Sequence, residues 1–397
     1  MLLIFLFFIA SLTDITALLP DNIVLTQTIK GDCTGDEKEE IILVYDINSR
    51  FGTDEYRGTC VSIYEQFEGE FQEVYKTRLS ADTKIRFAKI LDELPPFVEI
   101  QWFHAAGGGN TYIAYDKELK RFREILNFES GGLNKEDINS DGKEEIFSFT
   151  FEPVQCNGEI NEIYASFLTF FRWKKNSFES FPESPYMMRP GTTYFATSKA
   201  ISTPKLLVVS QPRYPSLEFR GVEDCSFTLF AARDANKLFL LLVIKDDIII
   251  QQGEGKDLIH GDHIVLLIDS DIANDFCKRT LDDDDIALAL SPGNFHDVSP
   301  DIINLNPLSV ISKNIVQNAD FLFEKQTGGY KVRITIEIDR EILDRRTLGF
   351  GIIIYDRDRE NVHYPEFRMS WPSTINKKDP TTWGNLYLFS PNEGYHH

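Results

Sequence analysis

The chain has 397 residues, with 41 Lys or Arg against 62 Asp or Glu, a formal net charge of −21. Its basic residues pair only in short runs such as Lys174-Lys175, Arg345-Arg346 and Lys377-Lys378. Neutralising a phosphate backbone needs clustered Lys and Arg, so no nucleic-acid partner is expected. A hydrophobic fraction of 42% excludes wholesale disorder, and the length predicts two or three domains.

Met1 to Leu12 carry no charge and are almost wholly apolar, and small or polar residues follow to Ala17. This pattern predicts a signal peptide over residues 1–17 and export to the periplasm, the extracellular space or the cell surface. The alternative is an uncleaved N-terminal anchor, although the run is short for a span of ~20 residues. Apolar runs of strand type come next: Glu40 to Tyr45, Ile146 to Phe151 and Ser166 to Trp173. Helical spacing is seen only over Asp82 to Leu94, Lys117 to Leu126 and the single turn Asp339 to Leu343. The chain is therefore expected to be mainly β, with N-terminal blade-like β repeats over 18–181 and an antiparallel β-sandwich over 206–397. Pro182, Pro185, Pro190 and Pro204 mark residues 182–205 as a Pro-rich linker between them. The second half continues with the runs Lys237 to Lys245, His263 to Asp269, Tyr330 to Ile338 and Gly349 to Tyr355.

An acidic segment occurs twice. Asp32 to Ile41 aligns without a gap on Asp137 to Ile146, at an offset of 105 residues, and each copy leads into a strand and then an aromatic hairpin ending in Phe71 or Phe178. A third hairpin, Tyr112 to Phe122, halves the offset to roughly fifty residues, a propeller-blade period. Three units are too few to close a propeller, so an open arc, packing on the second domain, or another kind of sandwich is expected. In the second copy Asp137, Asn139 and Asp141 present oxygens at alternate positions before the turn glycine Gly142. The Lys143 carbonyl and Glu145 complete a hard-cation donor set, which predicts structural calcium. This spacing resembles the calcium loops of FG-GAP repeats. The resemblance extends to Asp32, Thr34, Asp36 and Glu40 in the first copy, where Glu37 stands in place of the turn glycine.

From Val222 to Leu388 a specific order of elements appears: Asp224 to Phe227, Lys237 to Asp247, Gly261 to Asp269, Leu290 to Gly293, Gly349 to Asp358, Arg368 to Trp371 and Trp383 to Leu388. Together they resemble the family 9 carbohydrate-binding module, a DOMON-like β-sandwich. The Ile-Asp-Gly opening and following Trp of that family have no counterpart in Leu217 to Gly221. The resemblance implies a polysaccharide or oligosaccharide partner, held by aromatic stacking and hydrogen bonds. Trp371 or Trp383 is the expected platform and Arg357 or Arg368 the expected hydroxyl donor. It also implies that calcium can be bound, although Asp282 to Asp285 reads by itself as a solvated turn.

Two other functions are compatible with the residues. A DOMON-like sandwich can hold haem through an axial side chain such as Met369, His260, His263 or His363, which would make this an electron-transfer protein. An adhesion protein with a protein ligand, contacted through the N-terminal domain, is the other. No nucleophile elbow, P-loop, zinc-protease or dinucleotide motif is present, so no enzyme is expected. The five cysteines lack metal-binding spacing; Cys33 with Cys60 and Cys225 with Cys277 can pair within their domains, leaving Cys156 free, or all five are reduced and buried.

Overall fold

The computed structural model describes residues 23–47, 58–79, 82–104, 107–129, 131–138, 144–156, 159–174, 176–189, 192–198, 206–211, 219–234 and 236–389. The expected signal peptide lies outside them. Three four-stranded antiparallel meanders follow one another along the first half. The first comprises β1 (Ile23–Gly31), β2 (Glu40–Ile47), β3 (Gly58–Phe67) and β4 (Glu70–Leu79); the second β5 (Asp82–Ala88), β6 (Phe97–His104), β7 (Gly107–Asp116) and β8 (Arg121–Phe128). The third contains β9 (Leu133–Glu136), β10 (Glu145–Cys156), β11 (Glu159–Lys174) and β12 (Ser177–Met188). Local chemistry sets the turns: Glu68 and Gly69 both have positive φ, 51° and 91°, and so form the two-residue hairpin that matches strand twist between β3 and β4.

The meanders stack through shared cores. Ile42, Val44 and Ile63 of the first meet Ile85, Ile100 and Ile113 of the second. Phe97 and Tyr112 of the second meet Ile146 and Phe178 of the third. On its other face the third contributes Phe147, Leu168 and Phe170 to a cluster with Tyr387 and Phe389 of the second half. The three expected units are thus present, and the last packs on the sandwich.

β13 (Thr193–Ser198) leads into that sandwich. One sheet contains β14 (Leu207–Val209), β15 (Cys225–Asp234), β16 (Lys237–Asp246), β20 (Asp320–Gln326) and β21 (Gly329–Glu337). The facing sheet contains β17 (His263–Asp269), β18 (Asp285–Ser291), β19 (Asp301–Asn304), β22 (Thr347–Asp356), β23 (Phe367–Trp371) and β24 (Gly384–Leu388). Alternate side chains fill the space between them: Leu238, Leu240 and Leu242 from β16 face Ile264, Leu266 and Ile268 from β17. Val265 and Leu267 point the other way, where Leu258, Ile375 and Trp383 cover them. Both faces of β17 are therefore apolar, which accounts for its unbroken hydrophobic run.

β13 is the seam. It runs parallel to β24 through Thr193 to Ala196 and parallel to β15 through Thr197 and Ser198, so both sheets join into one twelve-stranded sheet folded over its own core. Most of the expected linker therefore runs as strand, in the end of β12 and in β13, because its prolines are spaced widely enough to leave the intervening amides free for pairing. The turn before β13 is fixed by Asn385, fully buried, whose side-chain oxygen accepts from the Arg189 amide at 2.8 Å and whose nitrogen donates to the Arg189 carbonyl at 2.9 Å.

Three further expectations are corrected. Asp82–Ala88 and Arg121–Phe128 are strands, not helices. Of the three helical segments expected, only the single turn is one, as Arg340–Asp344, capped by Asp339. Cys277 is bonded to Cys156, not Cys225, with Cα atoms 5.8 Å apart, so the bridge joins the third meander to the sandwich; Cys33, Cys60 and Cys225 are free and buried. Cys33 and Cys60 lie in different strands and loops of one meander with no bond between them.

Replacing Asn385 by Ala leaves the Arg189 amide and carbonyl without partners inside the junction. Each such group costs about 1–3 kcal/mol. Urea unfolding of Asn385→Ala is expected to show a loss of that order, whereas an unchanged midpoint would show that the turn is held by other contacts.

Candidate functional site

A cleft of about 650 Å³ opens beside the seam strand. Thr192 enters it from the start of β13, Ser210 and Gln211 from the end of β14, and Ser370 from β23. Thr374 and Thr382 come from the turns between β23 and β24. Among the described residues no charged side chain lines it, and Trp371 and Trp383 form part of its wall. A neutral, hydroxyl-rich surface beside aromatic carbon suits an uncharged polyol.

Of the expected sugar-binding residues, the structure brings only the two tryptophans to this cleft. Trp371 is 8% exposed and packs on Phe350 and Tyr194 in the sandwich core. Trp383 is 2% exposed and donates its ring N–H to the Asn376 carbonyl at 2.9 Å. Neither offers the open ring face that a stacking platform requires. Arg357 lies elsewhere and is buried; its guanidinium donates to the carbonyls of His260, Arg359 and Glu360 at 2.7–3.2 Å. Arg368 is exposed on β23 and does not line the cleft. The hydroxyl residues that do were not picked out in the sequence, because they come from four separate segments with no local signature.

Among the expected haem ligands, Met369 is fully buried in the sandwich core. His263 directs Nδ1 to the Gly261 carbonyl at 2.8 Å and stacks on Tyr355 with centroids 4.5 Å apart. Neither these nor His260 and His363 line the cleft.

A second site lies at the C-terminal end of β16. Asp246 ends that strand, Asp262 precedes β17 and Asp356 ends β22; all three are at most 5% exposed, and an oxygen from each lies within 4.8 Å of the others. Asp262 accepts the amides of Ile250 and Arg357, and Asp246 accepts that of Ile248 at 3.0 Å. Asp356 Oδ1 and the fully buried Tyr330 hydroxyl have no hydrogen-bond partner. Burial, reinforced by the neighbouring carboxylates, raises Asp246 to about 8 and Asp356 to about 9, and pushes Asp262 up as well. Arg220, the nearby guanidinium, pairs instead with the outer carboxylates Asp224, Asp247 and Asp358. Three buried carboxylates, one of them with an orphaned oxygen, and an all-oxygen donor set fit a hard divalent cation.

In the first acidic loop, oxygens of Asp32, Asp36 and Glu40 also converge within 4.8 Å. Thr34 directs its hydroxyl to Glu40 at 3.3 Å and to Asp36 at 3.1 Å. Asp32 is committed to the backbone: one oxygen accepts Gly35 N at 2.6 Å and the other Glu37 N at 2.9 Å. Those amides lower its pKa against the raising effect of burial. Glu37, in the place of the turn glycine, adopts φ 68°, a conformation rare for a residue with a side chain. The second loop repeats one hydrogen bond of the first: Ile138 N donates to Glu145 at 3.0 Å as Cys33 N does to Glu40 at 2.7 Å. Asp137 and Glu145 flank this loop; Asn139, Asp141 and Lys143 lie outside the described residues.

With the sandwich and its cleft established, the comparison with known families bears on the second half. Residues 208–390 match the family model described as "Carbohydrate family 9 binding domain-like". Two solved structures of a family 9 module from Caldicellulosiruptor kristjanssonii are similar at 10% identity. The one with cellotriose has a TM-score of 0.36 over 51% of this chain and 96% of the module. The one with glucose has a TM-score of 0.37 over 51% and 98%. No curated protein matches the chain. The matched span of the family 9 model begins after the three meanders, so it lends no support to the FG-GAP likeness of the first half.

The buried triad is expected to make stability depend on pH and on any divalent cation that it holds. Its carboxylates hold protons more tightly folded than unfolded, so in chelator stability falls as pH rises from the ordinary carboxylate range through about 9. A bound cation needs the ionised form and removes that loss. At a hundredfold excess over Kd it adds about 2.7 kcal/mol, or roughly 5–10 °C in Tm. Thermal melts with calcium and with EDTA are expected to diverge at pH 8–9 and converge near pH 5. Coincident melts at pH 8 would exclude a cation in the triad.

Proposed function

We propose that this is an exported, non-catalytic carbohydrate-binding protein that takes a neutral sugar in the cleft beside Trp371 and Trp383. The single observation that carries the reading is the match of residues 208–390 to a carbohydrate-binding family. The cleft supports it by its chemistry: hydroxyl and amide side chains can exchange hydrogen bonds with a polyol, while the sheltered indole edges and Val208 supply apolar contact. The uncharged side chains that line it among the described residues favour a neutral sugar over a uronic acid or an amino sugar.

The calcium reading is kept as part of this proposal. Asp246, Asp262 and Asp356 would hold a cation that fixes the ends of β16 and β22 and the approach to β17, and Asp32, Asp36 and Glu40 would hold a second in the first meander. Export is supported by the Cys156–Cys277 bridge, a bond typical of oxidising compartments.

A glycan array probed with the full chain, followed by pull-down on the insoluble polysaccharides it suggests, tests the function. Gln211→Ala and Ser210→Ala alter the cleft wall, and each is expected to reduce retention about tenfold or more, the scale of one or two lost hydrogen bonds. Unchanged retention in both variants would place the sugar elsewhere on the sandwich. No binding to any glycan would sink the proposal.

A further inference from the structure

At one end of the second meander three consecutive glycines, Gly107 to Gly109, open β7 opposite the last residues of β6. Glycine weakens a strand, and a run of it marks a place where other groups come close to the backbone. Here those groups are aromatic rings. Phe103 is paired with Gly108 and Trp102 with Gly109. A Cβ at Gly108 would lie 3.1 Å from Phe103 Cδ1, and one at Gly109 would lie 2.4 Å from Trp102 Cζ2. Each ring therefore leans across a glycine, with no side chain of β7 standing beside it. The two rings lie on opposite faces of the sheet, as successive strand residues must. Phe103 lies on the face that carries Phe97 against the third meander further along β6, and it is 48% exposed.

An exposed phenyl ring alone would mean little, since single apolar side chains are common on protein surfaces. The decisive detail is its company. On the same face Asp82 of β5 is the cross-strand partner of Phe103, and the next row is Lys84, Gln101 and Asn110. Asp82 and Lys84 are exposed, and Gln101 and Asn110 are half-buried. Asn110 donates its amide to the Gly131 carbonyl, and Gln101 donates to Glu99 at 3.3 Å, which leaves the Gln101 carbonyl oxygen to accept. A protein partner docking on Phe103 would call for an apolar, uncharged surround. A carboxylate, an ammonium and an amide beside an aromatic ring suit a sugar instead, with its apolar face on the ring and its hydroxyls on the polar groups. We propose that this face of the second meander is a carbohydrate subsite separate from the cleft, with one uncharged sugar ring stacked on Phe103 and its hydroxyls held by Asp82, Lys84 and Gln101. The subsite rests on the reading that the protein binds carbohydrate and extends it to the first half, which the family match over residues 208–390 does not reach. It also supplies an open aromatic face, which Trp371 and Trp383 do not.

Isothermal titration of the full chain with uncharged trisaccharides of glucose, mannose and xylose counts the sites. The unaltered chain is expected to take two ligands and Phe103→Ala only one, and Gln101→Ala is expected to weaken the same site about tenfold. Gln211→Ala, in the cleft wall, is expected to leave binding at Phe103 in place. Crystals of the unaltered chain soaked in the tightest trisaccharide need no variant, and sugar density over the Phe103 ring is expected. Two ligands still bound by folded Phe103→Ala, or density in the cleft with none at Phe103, would overturn the subsite while leaving carbohydrate binding intact. No binding of any glycan would overturn both.

Discussion

The structure depends on one strand in an unusual place. β13 is supplied by the segment leading out of the third meander, yet it occupies the seam where both sheets of the sandwich meet, parallel to β24 on one side and to β15 on the other. Without it β24 would present an unpaired edge over a buried core, and β15 would be paired on that side only by β14, at Phe227 to Leu229. The span that matches the carbohydrate-binding family begins at residue 208 and so excludes this strand. The cleft also depends on it, because Thr192, immediately before β13, forms part of the wall that Ser210 and Thr382 complete. Asn385 then fixes the turn entering β13 by satisfying both backbone groups of Arg189. Connection, core and candidate site are consequences of the same insertion.

A second constraint is charge. The acidity of the chain looks from composition like a solubilising coat, and part of it is. The sandwich nevertheless buries Asp246, Asp262, Asp356, Asp269 and Asp285, groups that ordinarily remain in water unless paired. They are placed at strand ends, where three elements converge and the backbone offers only a few amides. A cation shared among such carboxylates would stabilise the fold, and its removal would destabilise it.

Much of the architecture was legible in the sequence. The seven apolar runs are strands, the 105-residue repeat reappears as the same amide-to-glutamate bond in Cys33–Glu40 and Ile138–Glu145, and the halved period corresponds to three meanders. The failures have physical causes. In Arg121–Phe128 the register slips between Tyr112 and Ile113, which leaves Ile125 as an extra residue. Phe122, Ile125 and Leu126 then fall at helical spacing in a strand. Over residues 82–94 a strand is followed by a loop whose Ile90 and Leu91 are buried between meanders, and the combined pattern imitates an amphipathic helix. The Cys156–Cys277 bond spans 121 residues and the domain boundary, information that spacing does not contain. The tryptophans expected as a stacking platform line the cleft but are buried at strand ends, with no open ring face. The polar wall was invisible because isolated Ser and Thr residues carry no pattern.

In the proposed reading, carbohydrate binds in the cleft formed at the seam. A crystal structure of the full chain with the best glycan from an array tests it most directly. Sugar density is expected in contact with Thr192, Ser210 and Gln211, beside Trp371 and Trp383. Density on any other face of the sandwich, with this cleft holding only solvent, would contradict it.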